Sequence, residues 1–514
     1  MNKFMNGINV MENTITTENG ATAYGSTLTA LYDMFALGGS YRSRSDDDCI
    51  FLFKKAFEEN ESYALKCLFY LRDVRGGQGE RRFFRVCMKW LATQNIDAAK
   101  RNLKYVPEFG RWDDLYLFVG TPCQDEAFKF MKEQLALDLT CKTPSLLGKW
   151  LKSENTSSQE SRDLASKTRR YLGMTSKQYR KTLSILRERI NVLERLMSAG
   201  KWDEIEFDKI PSRAGFLYKN AFARHDVERA KAGAKTYEDF AKDTTTKVNA
   251  KALYPYECVE KAREVMGYYE YGWYGYNNTI SKDNTDRLMI NKYWENLADY
   301  INGAAFNGIA IVDTSGSMCD SGYYNRTVAP IDVAISIGMY CAEKNRGPYA
   351  GHFLTFNSQP KFMKVEGIDF CDKVSRILQA PWGGSTNIEA AFDLILQIAI
   401  DNHCSSDEIP QNLIVISDME FNGCATSNSC GRLSANSSLF EQMRAKWETY
   451  GYKMPKLVFW NVDARQDNFA MKDEENVSYV SGFSPVLFEQ IMKGKTAQDL
   501  MYDKLNDKRY ACIK

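Results

Sequence analysis

The chain has 514 residues, of which 44% are hydrophobic, 26% charged and 13% aromatic. That composition excludes a chain left disordered for want of apolar surface, and the length exceeds what one hydrophobic core sustains, so two or three domains are expected. Lys and Arg total 67 against 66 Asp and Glu, a net charge of +1, which excludes a uniformly basic or acidic molecule but conceals a difference between the halves. Up to residue 300 there are 47 basic against 41 acidic residues, and after it 20 against 25. Residues 151–200 alone carry 11 basic and 5 acidic side chains.

Residues 1–27 are polar and lack the apolar stretch of a signal peptide, so they read as a flexible arm. From residue 28 to 265 apolar residues recur at three and four, as in "ESYALKCLFYLRDV", "ERRFFRVCMKWLAT" and "SKQYRKTLSILRERINVLERLM". That spacing predicts an all-α domain of irregular, HEAT-like helical repeats, with helices of about 10 to 18 residues separated by turns such as "RGGQG", "VPEFG" and "DKIPSR". Residues 266–300 read as a connector rich in Tyr, Gly and Asn, whose Tyr268, Tyr269, Tyr271, Trp273, Tyr274 and Tyr276 are candidates for packing between domains or for stacking on unpaired bases. From 301 to 514 apolar runs alternate with helices: "NGIAIVD", "YAGHFLTF", "QNLIVISD", "PKLVFWNVD" and "VSYVSG" are strands of a largely parallel, doubly wound α/β domain.

The thirteen cysteines are scattered, with no CxxC pair, and fit reduced thiols in a cytoplasmic protein better than a disulfide framework. Cys424 and Cys430 are close enough in sequence to bridge a loop. No run of 18 apolar residues offers a membrane span.

In a doubly wound sheet, ligands bind beyond the carboxyl ends of the strands. Here the first strand of the α/β half ends in "VDTSGSM", giving Asp313, Ser315 and Ser317; a later loop gives Thr386 just ahead of a helix; and "LIVISD" ends at Asp418. Two carboxylates and three hydroxyls suit a hard cation, Mg²⁺ or Mn²⁺, rather than zinc. The alternative is that Ser and Asp here merely cap helices. These five residues resemble the metal-ion-dependent adhesion site of von Willebrand factor A (vWA) domains, DxSxS followed by Thr and then Asp. The resemblance implies direct ligation by Ser315 and Ser317, ligation by Thr386 directly or through water, and contact from Asp313 and Asp418 mainly through water. It also implies one open coordination position for an acidic group of a protein partner.

The helical half holds two basic clusters. In "LRDVRGGQGERRFFR" a glycine turn is surrounded by Arg72, Arg75, Arg81, Arg82 and Arg85, which makes an anion site plausible beside the plainer reading of a tight helical elbow. No GK[ST] follows, so it is not a phosphate-binding Walker loop. Further on, Arg169, Arg170, Lys177, Arg180 and Lys181 lie on two helices and offer a face for a phosphate backbone, or simply a solvated one. Helices followed by a domain with this metal motif resemble the layout of Ro-type (TROVE) proteins, binders of noncoding RNA. The stretches "RDVRGGQGERR", "YVPEFGRWDDL", "KWLKSEN" and "VDTSGSM" are more similar still to those of an uncharacterised family in plants, bacteria and phages that is related to Ro in layout.

The three histidines, His225, His352 and His403, sit in no nucleophile or metal context, and Ser315 is not in a GxSxG elbow. The sequence therefore points to a non-enzymatic binding protein: a scaffold for structured or single-stranded RNA, or alternatively a metal-dependent protein adaptor, with metal-assisted phosphodiester hydrolysis as the remaining catalytic option.

Overall fold

The computed structural model describes residues 13–17, 20–267, 284–303, 305–319, 328–357, 359–379, 386–421, 439–463, 468–471, 476–492 and 496–514. The aromatic run 268–276 and the Cys424–Cys430 loop lie outside the described residues. The chain divides into two compact units that do not follow its sequence halves: residues 1–64 with 250–507, and residues 65–249 with 508–514.

The first unit is built on a mixed sheet, and its smaller ribbon comes first in the chain. Strands β1 (Thr14–Thr16) and β2 (Thr22–Tyr24) pair antiparallel, and Tyr24 forms a further bridge with Phe469. The described part of the expected flexible arm, residues 13–17 and 20–27, is thus ordered structure. Burial explains it: Ala21, Ala23 and Tyr24 are covered, and the Thr17 hydroxyl donates to the Phe421 carbonyl at 2.8 Å.

The main sheet has the order β5-β4-β3-β6-β7-β8, with β3 Gly308–Asp313, β4 His352–Phe356, β5 Lys361–Lys364, β6 Asn412–Ser417, β7 Lys456–Asn461 and β8 Val477–Ser481. All pairings are parallel except β4 with β5. Central strands such as β3, apolar up to its final Asp313, are buried along their whole length, as befits a sheet covered on both faces. The helix Pro330–Lys344, buried on nearly every side, packs on β3 and β4.

Three segments counted by their periodicity as helical domain or connector belong to this unit instead. The helix Ala30–Leu37 is buried over all but its first residue and packs on the edge strand β8, where the Tyr479 amide donates to the Tyr32 hydroxyl at 3.1 Å; covering an edge removes a row of unpaired backbone groups. The helix Pro255–Val265 packs on Pro330–Lys344 and joins it by the buried Arg263–Asp332 pair at 2.8 Å. Within the expected connector, Thr285–Glu295 is a helix whose Asn284 side chain caps its start. Arg287 forks onto Asp369 at 2.6 and 2.9 Å, and Trp294 stacks on Phe370 with ring centroids 4.2 Å apart.

The second unit is helical, with α-helices of 4 to 17 residues, from Leu147–Trp150 to Gln124–Thr140. Helix pairs meet through short corners, as where Arg82–Gln94 is followed by Ile96–Leu103 and the Asn95 side chain caps the latter. One long periodic stretch is broken: Ser176–Arg189 and Leu193–Ser198 are separate helices, because Asn191 adopts φ of 49°, the left-handed conformation in which Asn commonly ends a helix.

Candidate functional site

The sheet order places β3 beside β6, while the chain runs outward from β3 to β4 on one side and from β6 to β7 and β8 on the other. The topological switch point therefore falls between β3 and β6, where a doubly wound sheet opens a crevice at its carboxyl edge. Asp313 ends β3, Ser417 ends β6 and Asp418 follows at once. The chain brings these groups together. The Ser417 hydroxyl donates to Asp313 Oδ2 at 2.5 Å, the Ser315 amide donates to Asp313 Oδ1 at 2.9 Å, and the Ser315 and Ser317 hydroxyls are 3.2 Å apart. After Ser417 the backbone turns sharply: Met419 has φ of 67°, its amide donates to Ser417 Oγ at 3.0 Å, and the Glu420 amide donates to Asp418 Oδ1 at 3.3 Å.

Asp313 and Asp418 are buried together. Burial first, and the Asp418 charge second, push the Asp313 carboxyl up to about 7, against the hydrogen bonds from Ser417 and Ser315 that pull it down. Two buried carboxylates, with hydroxyl and amide donors on Asp313 among the described residues, form a site that a hard cation would neutralise. Among the described residues no three His, Cys, Asp or Glu side chains cluster as a metal site built from those donors would need, so a cation held here would depend on hydroxyl oxygens. The residues at this crevice fit Mg²⁺ or Mn²⁺ in that sense. Thr386 is also buried, two residues ahead of the helix Ile388–Asp401, whose N-cap is Asn387 and which packs on β4.

Two polar residues of this edge were not singled out by their sequence. Ser417, holding Asp313 in place, is marked only by its position before Asp418 at a strand end. Glu420 is fully buried and accepts from Asn468 Nδ2 at 2.8 Å; nothing in the local pattern distinguishes it from a loop carboxylate.

The arginines around the glycine turn are not assembled for an anion. Arg72 is buried and forks onto Asp114 Oδ2 at 3.0 and 2.7 Å. Arg81 bridges Asp113 at 2.7 Å and Asp114 at 3.0 Å, Arg85 approaches Asp114 at 3.8 Å, and Arg111 reaches Asp113 at 3.1 Å. The exposed Arg75 donates to the Glu108 carbonyl at 2.5 Å. Arg82 opens the next helix, its amide capped by Glu80 at 3.0 Å. Burial alone would raise the Asp114 carboxyl, but Arg72 and Arg81 reverse this and hold it below the usual carboxylate range. The glycines serve close packing: a Cβ at Gly77 would lie 2.0 Å from the Tyr70 carbonyl oxygen, and one at Gly110 would lie 2.5 Å from Asp114 Oδ2. The turn is a packed elbow in which the acidic pair of "GRWDDL" engages Arg72, Arg81 and Arg85.

The second basic cluster is mixed. Arg169 pairs with Glu154 at 2.7 Å, whereas Arg170, Lys177, Arg180 and Lys181 are exposed along the helices Gln159–Tyr171 and Ser176–Arg189.

A family model described as a domain of unknown function, DUF2828, matches residues 17–146 and 145–305, more than half of the chain. The chain belongs to the DUF2828 family. A second model, again described as a domain of unknown function, DUF7788, matches residues 307–510 and so takes in the whole six-stranded sheet. This DUF2828 member is 32% identical over 525 residues to the uncharacterized protein L728 of Acanthamoeba polyphaga mimivirus, covering 94% of this chain and 86% of the viral protein. Among solved structures it is similar to the Deinococcus radiodurans Ro (RSR) protein, with a TM-score of 0.47 and 14% identity over 93% of this chain and 99% of that one. Among the described residues no helix is long and apolar enough to cross a membrane.

Proposed function

We propose that this protein is a non-enzymatic binding scaffold whose α/β unit is a vWA-type domain holding Mg²⁺ or Mn²⁺, through which it engages an acidic group of a protein partner. The observation that carries this reading is the pair Asp313 and Asp418, buried at the switch point of the sheet, with the Asp313 carboxyl pushed up to about 7. Ser315 and Ser317 would hold the ion directly, Thr386 would join them, and Asp313 and Asp418 would supply the compensating charge. The ion would offer an electrophilic coordination position suited to a carboxylate. The protein's own contribution is a rigid strand-end frame: Ser417 and the Ser315 amide fix both oxygens of Asp313. The test is affinity capture of partners on the full chain with Mg²⁺, with EDTA, and with Asp313→Ala. The reading expects a partner retained only in the first case; capture unchanged across all three contradicts it.

A second reading, a Ro-like RNA scaffold in the cytoplasm, rests on the exposed Arg170, Lys177, Arg180 and Lys181 and on the order of domains. Filter binding to structured and single-stranded RNA should weaken on replacing Lys177, Arg180 and Lys181 by Glu, and should fall with salt in proportion to the phosphates contacted. Binding no stronger than that of a neutral control protein at about 100 mM salt removes this reading.

A further inference from the structure

The glycine turn that looked made for an anion holds a cation instead, and the cation comes from the far end of the chain. Residues 508–514 belong to the helical unit. Lys508–Tyr510 form a single helical turn. Arg509 grips the buried Asp73 carboxylate with both Nε and Nη2, the latter at 2.7 Å, and its guanidinium lies 4.9 Å over the Phe109 ring. Tyr510, fully buried, stacks on Phe109 with ring centroids 5.6 Å apart, meets Tyr70 edge-on at 6.1 Å and donates its hydroxyl to Asp73 Oδ2 at 3.0 Å. Ile513 is buried. The Asn102 side chain clasps the backbone of residue 514, accepting from its amide at 2.9 Å and donating to its carbonyl.

Each feature is of the kind that recognises a peptide. A forked guanidinium–carboxylate pair gives orientation, an aromatic slot takes a tyrosine and a flat cation together, and an asparagine reads main chain. Gly76 is what lets the arginine lie across the turn, since a Cβ there would stand 3.3 Å from Arg509 Cδ and 3.2 Å from Asp73 Oδ2.

The geometry points to a linear-peptide recognition site in the helical unit, formed by Tyr70, Asp73, Gly76, Asn102 and Phe109, which selects an Arg-Tyr pair followed three residues later by an apolar side chain and is filled in cis by the chain's own Lys508–Lys514. The segment is therefore a separable ligand, not an inseparable part of the helical core.

Fluorescence anisotropy of a labelled synthetic peptide of residues 508–514 tests this against the full chain and against a chain ending at Asp507. The truncated chain, its cooperative melt and far-ultraviolet dichroism retained, should bind the peptide saturably, and the full chain should not. A peptide carrying Arg509→Ala should bind about tenfold or more weakly. A folded truncated chain that ignores the peptide, or a full chain that binds it equally well, overturns the proposal. Should truncation abolish folding, the full chain with Arg509→Ala and Tyr510→Ala is followed by hydrogen exchange. Protection should be lost in 508–514 and kept in the helix Arg82–Gln94; loss across the whole helical unit overturns separability.

Discussion

Two pairs of buried carboxylates, one in each unit, receive opposite treatment. Asp113 and Asp114 are ringed by Arg72, Arg81, Arg85 and Arg111, and Asp114 is held below its usual titration range. Asp313 and Asp418 are equally buried, yet Asp313 is met by a serine hydroxyl and an amide, and burial together with the Asp418 charge drives it up to about 7. The first pair is electrically complete within the protein and therefore structural. The second pair shares a buried place at the ligand-binding edge of the sheet with hydroxyl and amide partners on Asp313, which is why we propose it as a cation site.

The comparison is broken most forcefully at the first pair. Replacing Arg72 by Ala leaves Asp114 buried with part of its compensation gone, and should destabilise the helical unit by about 3 to 5 kcal/mol, read as a fall in the denaturation midpoint. Asp313→Ala should do the reverse of harm to the metal-free protein: relieving the crowded carboxylates keeps or raises the midpoint without divalent ions, and abolishes any rise on adding them. A melt of Asp313→Ala in EDTA well below that of the wild type would show Asp313 to be structural.

Acid sharpens the contrast further. A carboxyl depressed in the folded state contributes stability that is present above its unfolded value, 3.8 for Asp114, and is lost as pH falls through the lower folded value. The contribution of Asp114 should thus be lost only below about pH 4, and Asp114→Asn should remove that part of the acid limb in a urea titration. The smallest effect is expected at the edge strand, where Tyr32→Phe removes the acceptor of the Tyr479 amide and should cost about 1 kcal/mol in the same titration.

How much of this could be seen in the sequence follows from the range of each interaction. The strands β3, β6 and β7 are continuous apolar runs bounded by turns, and strand-end positions for Asp313 and Asp418 follow directly from them. The hairpin β1–β2 carries its own signal, Gly20 between threonine-rich stretches, at φ of 86°, which the polarity of the segment conceals. Long-range pairing has no local trace. The arginines near Gly76 and Gly77 are neutralised by aspartates about 30 to 40 positions onward, and the carboxylate within the turn by an arginine 436 positions away. Helical periodicity likewise says that Ala30–Leu37 and Pro255–Val265 have an apolar face, but not that the first will be covered by the strand β8 and the second by a helix of the α/β unit.

Isothermal titration of Mn²⁺ into the metal-free full chain tests the distinction between the two carboxylate pairs most directly. One saturable site that disappears in Asp313→Ala and in Asp418→Ala but survives in Asp114→Asn is the result this account predicts. No site at all, or a site indifferent to Asp313 and Asp418, would contradict it.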